Sequence, residues 1–324
     1  MIIEDFMQEI GESSIREKLL SCLRSNPKTL PCTFFYDRNG SELFEKITKL
    51  EEYYPPKIEI PLLRSTARKF NGELKGCDIV ELGSGDCSKI SVFLDEVPEE
   101  NRQTIVYYPV DVSREAIEKS GCILRKRYPE MGLHGINADF LEHMGKILGK
   151  RKVKRKSLFC FFGSTIGNLD RTKATEFLKD LDGVMNREDR LLLGMDMVKD
   201  IDVLERAYND RQGVTAQFNK NILNVTNSHL GTDFDPDDFE HVAFFNRKYS
   251  RIEMHLKAKR DLEVTSPLLD GSIIFKKGET IHTENSHKYT VEHIRGMADA
   301  AGLFLRRIYT DDKKWFSLAE MVKV

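Results

Sequence analysis

No stretch of this 324-residue sequence approaches the ~18 consecutive apolar residues that a membrane-spanning helix needs. The start of the chain does not read as a secretory leader either. The first residues, MIIEDFMQEIGE, are acidic and amphipathic, without the basic start and long apolar run of such a leader. Export by that route is therefore not expected, and the cytoplasm is the expected compartment. None of the six cysteines (Cys22, Cys32, Cys77, Cys87, Cys122, Cys160) belongs to a CxxC pair. That spacing argues against a zinc ribbon or a disulfide scaffold and suits a reducing environment. Charge of one sign is also lacking: the net charge of −2 gives no global argument for nucleic-acid binding. Repeats and low-complexity segments are absent. With 40% hydrophobic and 31% charged residues, the chain is too apolar to be disordered.

What is present is alternation. Short runs rich in Ile, Val, Leu and Phe fall at 78–82, 104–110, 133–138, 157–162 and 191–197, and read as buried strands of a parallel sheet. Helical signals lie between them. Ile90, Phe93, Leu94 and Val97 share one helix face, and Ser113 is placed to cap a helix carrying Ala116 and Ile117. This pattern predicts a doubly wound α/β sheet. Near the end, Thr290 opens a helix closed by Gly302, and the runs 303–309 and 315–321 form a hairpin. Five parallel strands finished by a helix and a hairpin are similar to the sheet of Rossmann-like methyltransferases. The intervening ninety or so residues do not fit that sheet and predict an inserted second domain. The expected division is 60–198 plus 287–324 for the sheet domain, and 1–59 plus 199–286 for a substrate-binding domain. Within the latter, Asn39-Gly40-Ser41-Glu42 reads as the capped start of a helix.

Chemistry concentrates at the strand ends. Glu81-Leu82-Gly83-Ser84-Gly85-Asp86 closes the first strand, where glycines let a ligand approach the backbone. Asp111, ending the second strand, can accept from both hydroxyls of a ribose. Asp139 and Phe140, after the third, offer a carboxylate and a ring to an adenine. Ser88 stands where a dinucleotide fingerprint has its third glycine, and the Glu81 charge would repel a pyrophosphate. A cofactor bearing an ammonium and a sulfonium fits better, so S-adenosylmethionine is expected rather than NAD. Lys89 is a candidate partner for the cofactor carboxylate, and is equally compatible with a plain exposed helix lysine.

Further motifs are Phe35-Tyr36-Asp37-Arg38-Asn39-Gly40-Ser41-Glu42-Leu43-Phe44, Glu52-Tyr53-Tyr54-Pro55 and Gly163-Ser164-Thr165-Ile166-Gly167-Asn168-Leu169-Asp170. Phe239-Glu240-His241-Val242-Ala243-Phe244, Arg251-Ile252-Glu253-Met254-His255-Leu256 and Thr280-Ile281-His282-Thr283-Glu284-Asn285-Ser286 complete them. In this order and spacing the sequence resembles the L-histidine Nα-methyltransferases of ergothioneine biosynthesis, from about residue 30 to the end. The resemblance implies three successive methylations of the histidine α-amino group, giving hercynine. By matching position it implies that Gly83, Gly85, Lys89, Asp111, Asp139 and Phe140 hold the cofactor. Tyr53, Asn168 and Tyr208 would hold the amino and carboxylate groups of histidine, with Asn168 and Tyr53 nearest the chemistry. Glu284 and Ser286 would hold its imidazole, and Met254 would pack beside the ring. It departs from the family at Pro56-Lys57 and Asp86-Cys87, neither of which removes a proposed contact.

These residue types suit the task. A neutral imidazole offers one donor and one acceptor, which a carboxylate and a hydroxyl can read together. Bland readings stand beside this one: Tyr53 and Tyr208 as core tyrosines, Met254 as core, and Glu284 with Ser286 as one face of an exposed strand. A monomer acting on a small molecule is expected, with no nucleic-acid or membrane partner and no metal. His282 and His287 flank Glu284, but a spacing of five turns them to opposite faces of a strand. The basic run 150–156 reads as a solvated connection into the fourth strand. Two alternatives stay open: the same chemistry on another free amino acid, or a non-catalytic S-adenosylmethionine sensor.

Overall fold

A computed structural model describes residues 1–7, 11–70, 73–148, 155–268 and 271–324. The chain begins β1 (Ile2–Asp5), α1 (Glu12–Arg24), β2 (Lys28–Thr29), α2 (Arg38–Ile47) and α3 (Pro55–Phe70). The alternating part follows as β3 (Asp78–Leu82), α4 (Ser88–Asp95), α5 (Glu99–Arg102), β4 (Val106–Asp111), α6 (Arg114–Arg127), β5 (Gly132–Asn137), α7 (Phe140–Leu148), β6 (Ser157–Phe161), α8 (Arg171–Val184) and β7 (Arg190–Asp196). Then come α9 (Ile201–Tyr208), α10 (Val214–Leu230), β8 (Phe239–Asn246), β9 (Arg251–Ala258), β10 (Leu262–Val264), β11 (Ile273–Phe275) and β12 (Thr280–His287). The last elements are α11 (Val291–Ala301), β13 (Leu303–Thr310) and β14 (Phe316–Lys323).

Two compact units result: residues 1–9, 55–198 and 288–324 form one, residues 10–54 and 199–287 the other. The first contains a sheet ordered β1-β5-β4-β3-β6-β7-β14-β13. Its first six strands are parallel, and β14 and β13 close it as an antiparallel hairpin. Alternation along each strand builds a core on both faces. Val80 and Leu82 pack with Phe159 and Phe161 on one side, while Ile79 packs with Tyr107, Leu158 and Cys160 on the other. This is the doubly wound α/β fold that the periodicity predicts. Strand order reverses beside β3, with β4 to one side and β6 to the other, and such a switch point opens a crevice at the carboxyl ends.

Local chemistry sets the element ends. The Ser113 hydroxyl accepts from the Ala116 N–H at 3.2 Å, and Thr290 with His293 forms a reciprocal cap on α11. Gly302 ends α11 in the left-handed region at φ 82°, where a side chain is disfavoured. Residues 150–154 of the basic run lie outside the described residues. Arg155 donates to the buried Asp78 carboxylate at 2.6 Å, tying the starts of β3 and β6 together.

Two expectations change. The sequence places residues 1–59 in the substrate-binding domain, yet β1 is the edge strand of the large sheet, pairing Ile2 with His134 and Asp5 with Asn137. Four residues are too few to display a strand period, so the sequence reads there only as amphipathic. Residues 55–59, at the start of α3, also belong to the sheet unit, while His287 ends a strand of the other. The helix expected to start at Asn39 starts at Arg38 and is capped by Asp37, which accepts from the Gly40 N–H at 2.7 Å. Gly40 is obligatory here, because a Cβ would lie 1.6 Å from the Phe35 carbonyl oxygen.

In the second unit the sheet runs β2-β12-β9-β8. Helices α2 and α10 are joined by Asn221, which donates to Asp37 and accepts from Asn39, both at 2.8 Å. Strand β12 slips register against β9 between His282 and Glu284, so that Glu284 stands opposite Met254. A bulge of this kind re-aims the side chains after it.

Candidate active site

The turn after β3 is held by the neighbouring strand. Gly83 and Ser84 donate to the Val110 carbonyl at 2.8 and 3.1 Å, and the Gly85 N–H donates to Asp111 Oδ2 at 2.9 Å. Gly83 and Gly85 both adopt positive φ, 67° and 53°. Asp111 also accepts from the Ser113 N–H at 2.9 Å, and Asn137 donates to the carbonyls of Asp111 and Val112. The ends of β3, β4 and β5 thus form one hydrogen-bonded rim. Asp139 caps α7 through the Leu141 N–H. Phe140 packs edge-on against Phe161 at 5.0 Å, and its ring lies 3.9 Å from where a Gly83 Cβ would stand. Gly83, Gly85, Asp111 and Phe140, picked separately from sequence, are therefore gathered at one place, with Asp139 beside them.

Glu81 lies behind this turn, buried, accepting from the Tyr107 hydroxyl. Burial raises its pKa from the ordinary 4.5 to about 8, with the Tyr107 bond and Lys89 opposing. The folded protein thus keeps a proton there that the unfolded chain releases. Stability from this group is full below pH ~4.5 and is lost as pH rises towards 8. In cofactor-free protein, Glu81→Gln is expected to flatten this decline, and urea midpoints at pH 5 and pH 8 measure it. An undiminished pH dependence in the variant would remove Glu81 as its source.

Lys89 has an unexpected neighbour. Its ammonium lies 3.5 Å from Glu59, a carboxylate on α3 with 0% exposure that also accepts from the Gly163 N–H at 2.7 Å. Burial pushes the Glu59 carboxyl up, with Lys89 and the Gly163 N–H opposing. Sequence reasoning passed over Glu59 because one acid on an amphipathic helix resembles any solvated position. Gly163, at φ 75°, sits in the left-handed region that disfavours a side chain, and a Cβ there would stand 2.6 Å from Lys89 Nζ and displace that ammonium. Asn168 ends the 3-10 turn Thr165–Asn168 beyond β6 and is half-buried. The preceding Ser164, itself at φ 58°, accepts from the Asp196 N–H at 2.9 Å and anchors this loop to β7.

The other expected substrate residues are in the second unit. The Tyr208 hydroxyl, at the end of α9, donates to Ser286 Oγ at 2.7 Å. Tyr53 sets its ring edge-on to Tyr208, centroids 6.3 Å apart, and to Phe44 at 6.4 Å. Met254 is 2% exposed and faces Glu284 across the β9–β12 pair. Tyr53, Tyr208, Met254, Glu284 and Ser286 are thus brought together, whereas Asn168 belongs to the sheet unit. Nearby, Glu253, His255 and His282 place potential metal-ligand atoms within 4.8 Å of one another. Arg251 already forks onto Glu253 at 2.7 and 2.6 Å, and the two imidazoles stack at 4.7 Å and 18°. A bound metal lies in the plane of each ligating ring, so stacked rings aim poorly at one ion.

The bare glycine turn, Asp111 and Asp139 at two neighbouring strand ends and the ring of Phe140 fit an adenosine. Glu81, expected to lend its charge here, is instead buried behind the turn and holds its proton up to about pH 8. Fold and rim together define an S-adenosylmethionine-dependent methyltransferase of the Rossmann-like class. Within that class the chain belongs to the histidine-specific family, whose description, "Histidine-specific methyltransferase, SAM-dependent", matches residues 15–323. It is 39% identical to the histidine N-alpha-methyltransferase of Mycobacterium tuberculosis, covering 98% of this chain and 97% of that one. Ergothioneine biosynthesis protein 1 of Neurospora crassa is 29% identical over 93% of this chain, which spans 34% of that longer protein. An L-tryptophan methyltransferase of Psilocybe serbica is 28% identical over 95% of this chain and 92% of its own length. Among the described residues no helix is long and apolar enough to cross a membrane.

Proposed function

We propose that this enzyme transfers three methyl groups in succession from S-adenosylmethionine to the α-amino nitrogen of L-histidine, giving hercynine. The observation that carries the choice of histidine is the Tyr208–Ser286–Glu284 grouping on and beside β12. Ser286 accepts from Tyr208, so the bond made with its own hydrogen is that of a donor. A donating hydroxyl and an accepting carboxylate on one strand, two residues apart, match the lone pair and N–H of a neutral imidazole. Met254 supplies an apolar wall beside such a ring.

S-adenosylmethionine supplies the methyl group as an electrophilic sulfonium. Gly83 and Gly85 keep the turn free of side chains, Asp111 takes the ribose hydroxyls, and Asp139 with Phe140 takes the adenine. Lys89, supported by Glu59, is the group for the cofactor carboxylate. In each transfer the neutral amine nitrogen bonds to the methyl carbon as the S–CH3 bond breaks, and one proton leaves to solvent per methyl group added, so holding the amine neutral and in line carries much of the rate. Asn168 and Tyr53 orient the amine without adding a charge, which suits an acceptor that grows by a methyl group at each step. The protein is proposed to act as a cytoplasmic monomer, in keeping with its scattered cysteines, and its product to serve ergothioneine synthesis.

A family that includes an L-tryptophan methyltransferase does not by itself choose the amino acid, so the experiment must. Purified protein, S-adenosylmethionine and an equimolar mixture of the twenty amino acids are incubated and the products weighed by mass spectrometry. Three added methyl groups on histidine alone are expected. Methylation of another amino acid would overturn the imidazole assignment and keep the cofactor site. Cofactor binding without any methylation would favour a sensor.

A further inference from the structure

The imidazole reading leaves a question of positioning: what holds Tyr208, Ser286, Met254 and Glu284 in register, when they come from α9 and two strands. Asn219 on α10 is 0% exposed and bonds to residues beside them on β9 and β12 and, through His241, to the end of α9. Its Nδ2 donates to the His255 carbonyl at 3.0 Å, next to Met254, and to His241 Nδ1 at 2.8 Å. Its Oδ1 accepts from the Thr283 hydroxyl at 2.6 Å, and Thr283 is the residue where β12 slips register immediately before Glu284. The same hydroxyl lies 3.0 Å from the Met254 carbonyl. His241 Nε2 in turn donates to the Tyr208 carbonyl at 2.9 Å.

This arrangement has one consistent set of donors. A backbone carbonyl only accepts, so the amide atom facing His255 must be the nitrogen. That puts the amide oxygen toward Thr283 and leaves His241 Nδ1 as an acceptor, with its hydrogen on Nε2. Burial favours the same neutral form. Flipping the amide would set oxygen against the His255 carbonyl. Two of the three bonds of the Asn219 side chain thereby go to β9 and β12, which carry proposed substrate contacts, and the third goes to His241, which itself holds the end of α9 through the Tyr208 carbonyl.

We propose that Asn219, with Thr283 and His241, is the positioning centre for histidine recognition, fixing the bulge that aims Glu284 and the helix end that aims Tyr208 at Ser286. This rests on the histidine reading above and names residues that touch no substrate themselves. A bland alternative is that the three merely fasten α10 to the sheet, and the two predict different kinetics.

The test uses the whole chain with Asn219→Leu, Thr283→Val and Thr283→Ser, and Glu284→Ala in parallel. Asn219→Leu and Thr283→Val are expected to raise KM for L-histidine about tenfold, as loss of a buried hydrogen bond does. The turnover number should stay within a few-fold and the dissociation constant of S-adenosylhomocysteine should not change. Thr283→Ser, which keeps the hydroxyl, should restore KM. Thr283→Val preserves side-chain shape, so it decides the matter if Asn219→Leu fails to fold, as thermal unfolding would show. An unchanged KM in Thr283→Val, with a raised one in Glu284→Ala, would overturn the proposal alone. An unchanged KM in Glu284→Ala would overturn the substrate reading and this inference with it.

Discussion

Replacing Glu284 with alanine is expected to lower kcat/KM for L-histidine by about a hundredfold, as losing a charge-assisted hydrogen bond to substrate does. S-adenosylhomocysteine affinity should be untouched, because the residues proposed to hold the cofactor lie in the other unit. The more telling quantity is discrimination. If Glu284, a half-buried carboxylate, faces the substrate ring as proposed, a phenyl or indole ring would cost it hydration without offering it a donor, which would penalise those rings. Removing it lifts the penalty, so the preference for histidine over phenylalanine should shrink by more than histidine turnover alone would suggest. Competition kinetics with the two amino acids measure the ratio directly. If activity on histidine fell and the ratio stayed put, Glu284 would matter to folding of β12 and not to recognition of the ring.

How far the sequence discloses this machinery depends on the kind of interaction. Strands β3, β4, β5, β6 and β7 are legible because side-chain partition between two buried faces leaves continuous apolar runs, and the hairpin β13–β14 because its turn residues separate two of them. The glycine turn is legible because positive φ restricts residue choice. The edge strand β1 is not, since it is shorter than the period needed to recognise it. Long-range polar links are the least visible. Asn219 sits among other polar residues of α10, and nothing in its neighbours announces bonds to Thr283, 64 residues away, or to His255. Glu59 likewise looks like an ordinary helix acid until α3 buries it against Gly163 and Lys89. The resemblance gives Tyr208 and Ser286 different parts of the substrate, and only the fold shows that they are bonded to one another.

Asp111→Asn is the other change with a large expected effect, and it separates two duties of one carboxylate. Each oxygen already accepts one backbone N–H, Oδ2 from Gly85 and Oδ1 from Ser113. Burial raises the pKa of this acid, while the N–H groups of Ser113, Gly85 and Val112 favour its ionised form. An ionised carboxylate has roughly four acceptor positions, so about two remain for a pair of ribose hydroxyls. Asparagine converts one oxygen to a donor, and no rotation helps: the new N–H₂ must confront either the Gly85 or the Ser113 N–H. The turn should lose about 1–3 kcal/mol, the range for a buried donor left without an acceptor. Cofactor affinity should fall roughly ten- to a hundredfold, as both the ribose contact and the shape of the turn suffer. Calorimetric titration with S-adenosylhomocysteine, alongside urea unfolding, reads the two effects separately. Stability lost with affinity intact would make Asp111 a strut for the turn and take the ribose contact away from it. Affinity lost together with stability is the expected result, because the two oxygens that shape the glycine turn are the ones proposed to take the ribose hydroxyls.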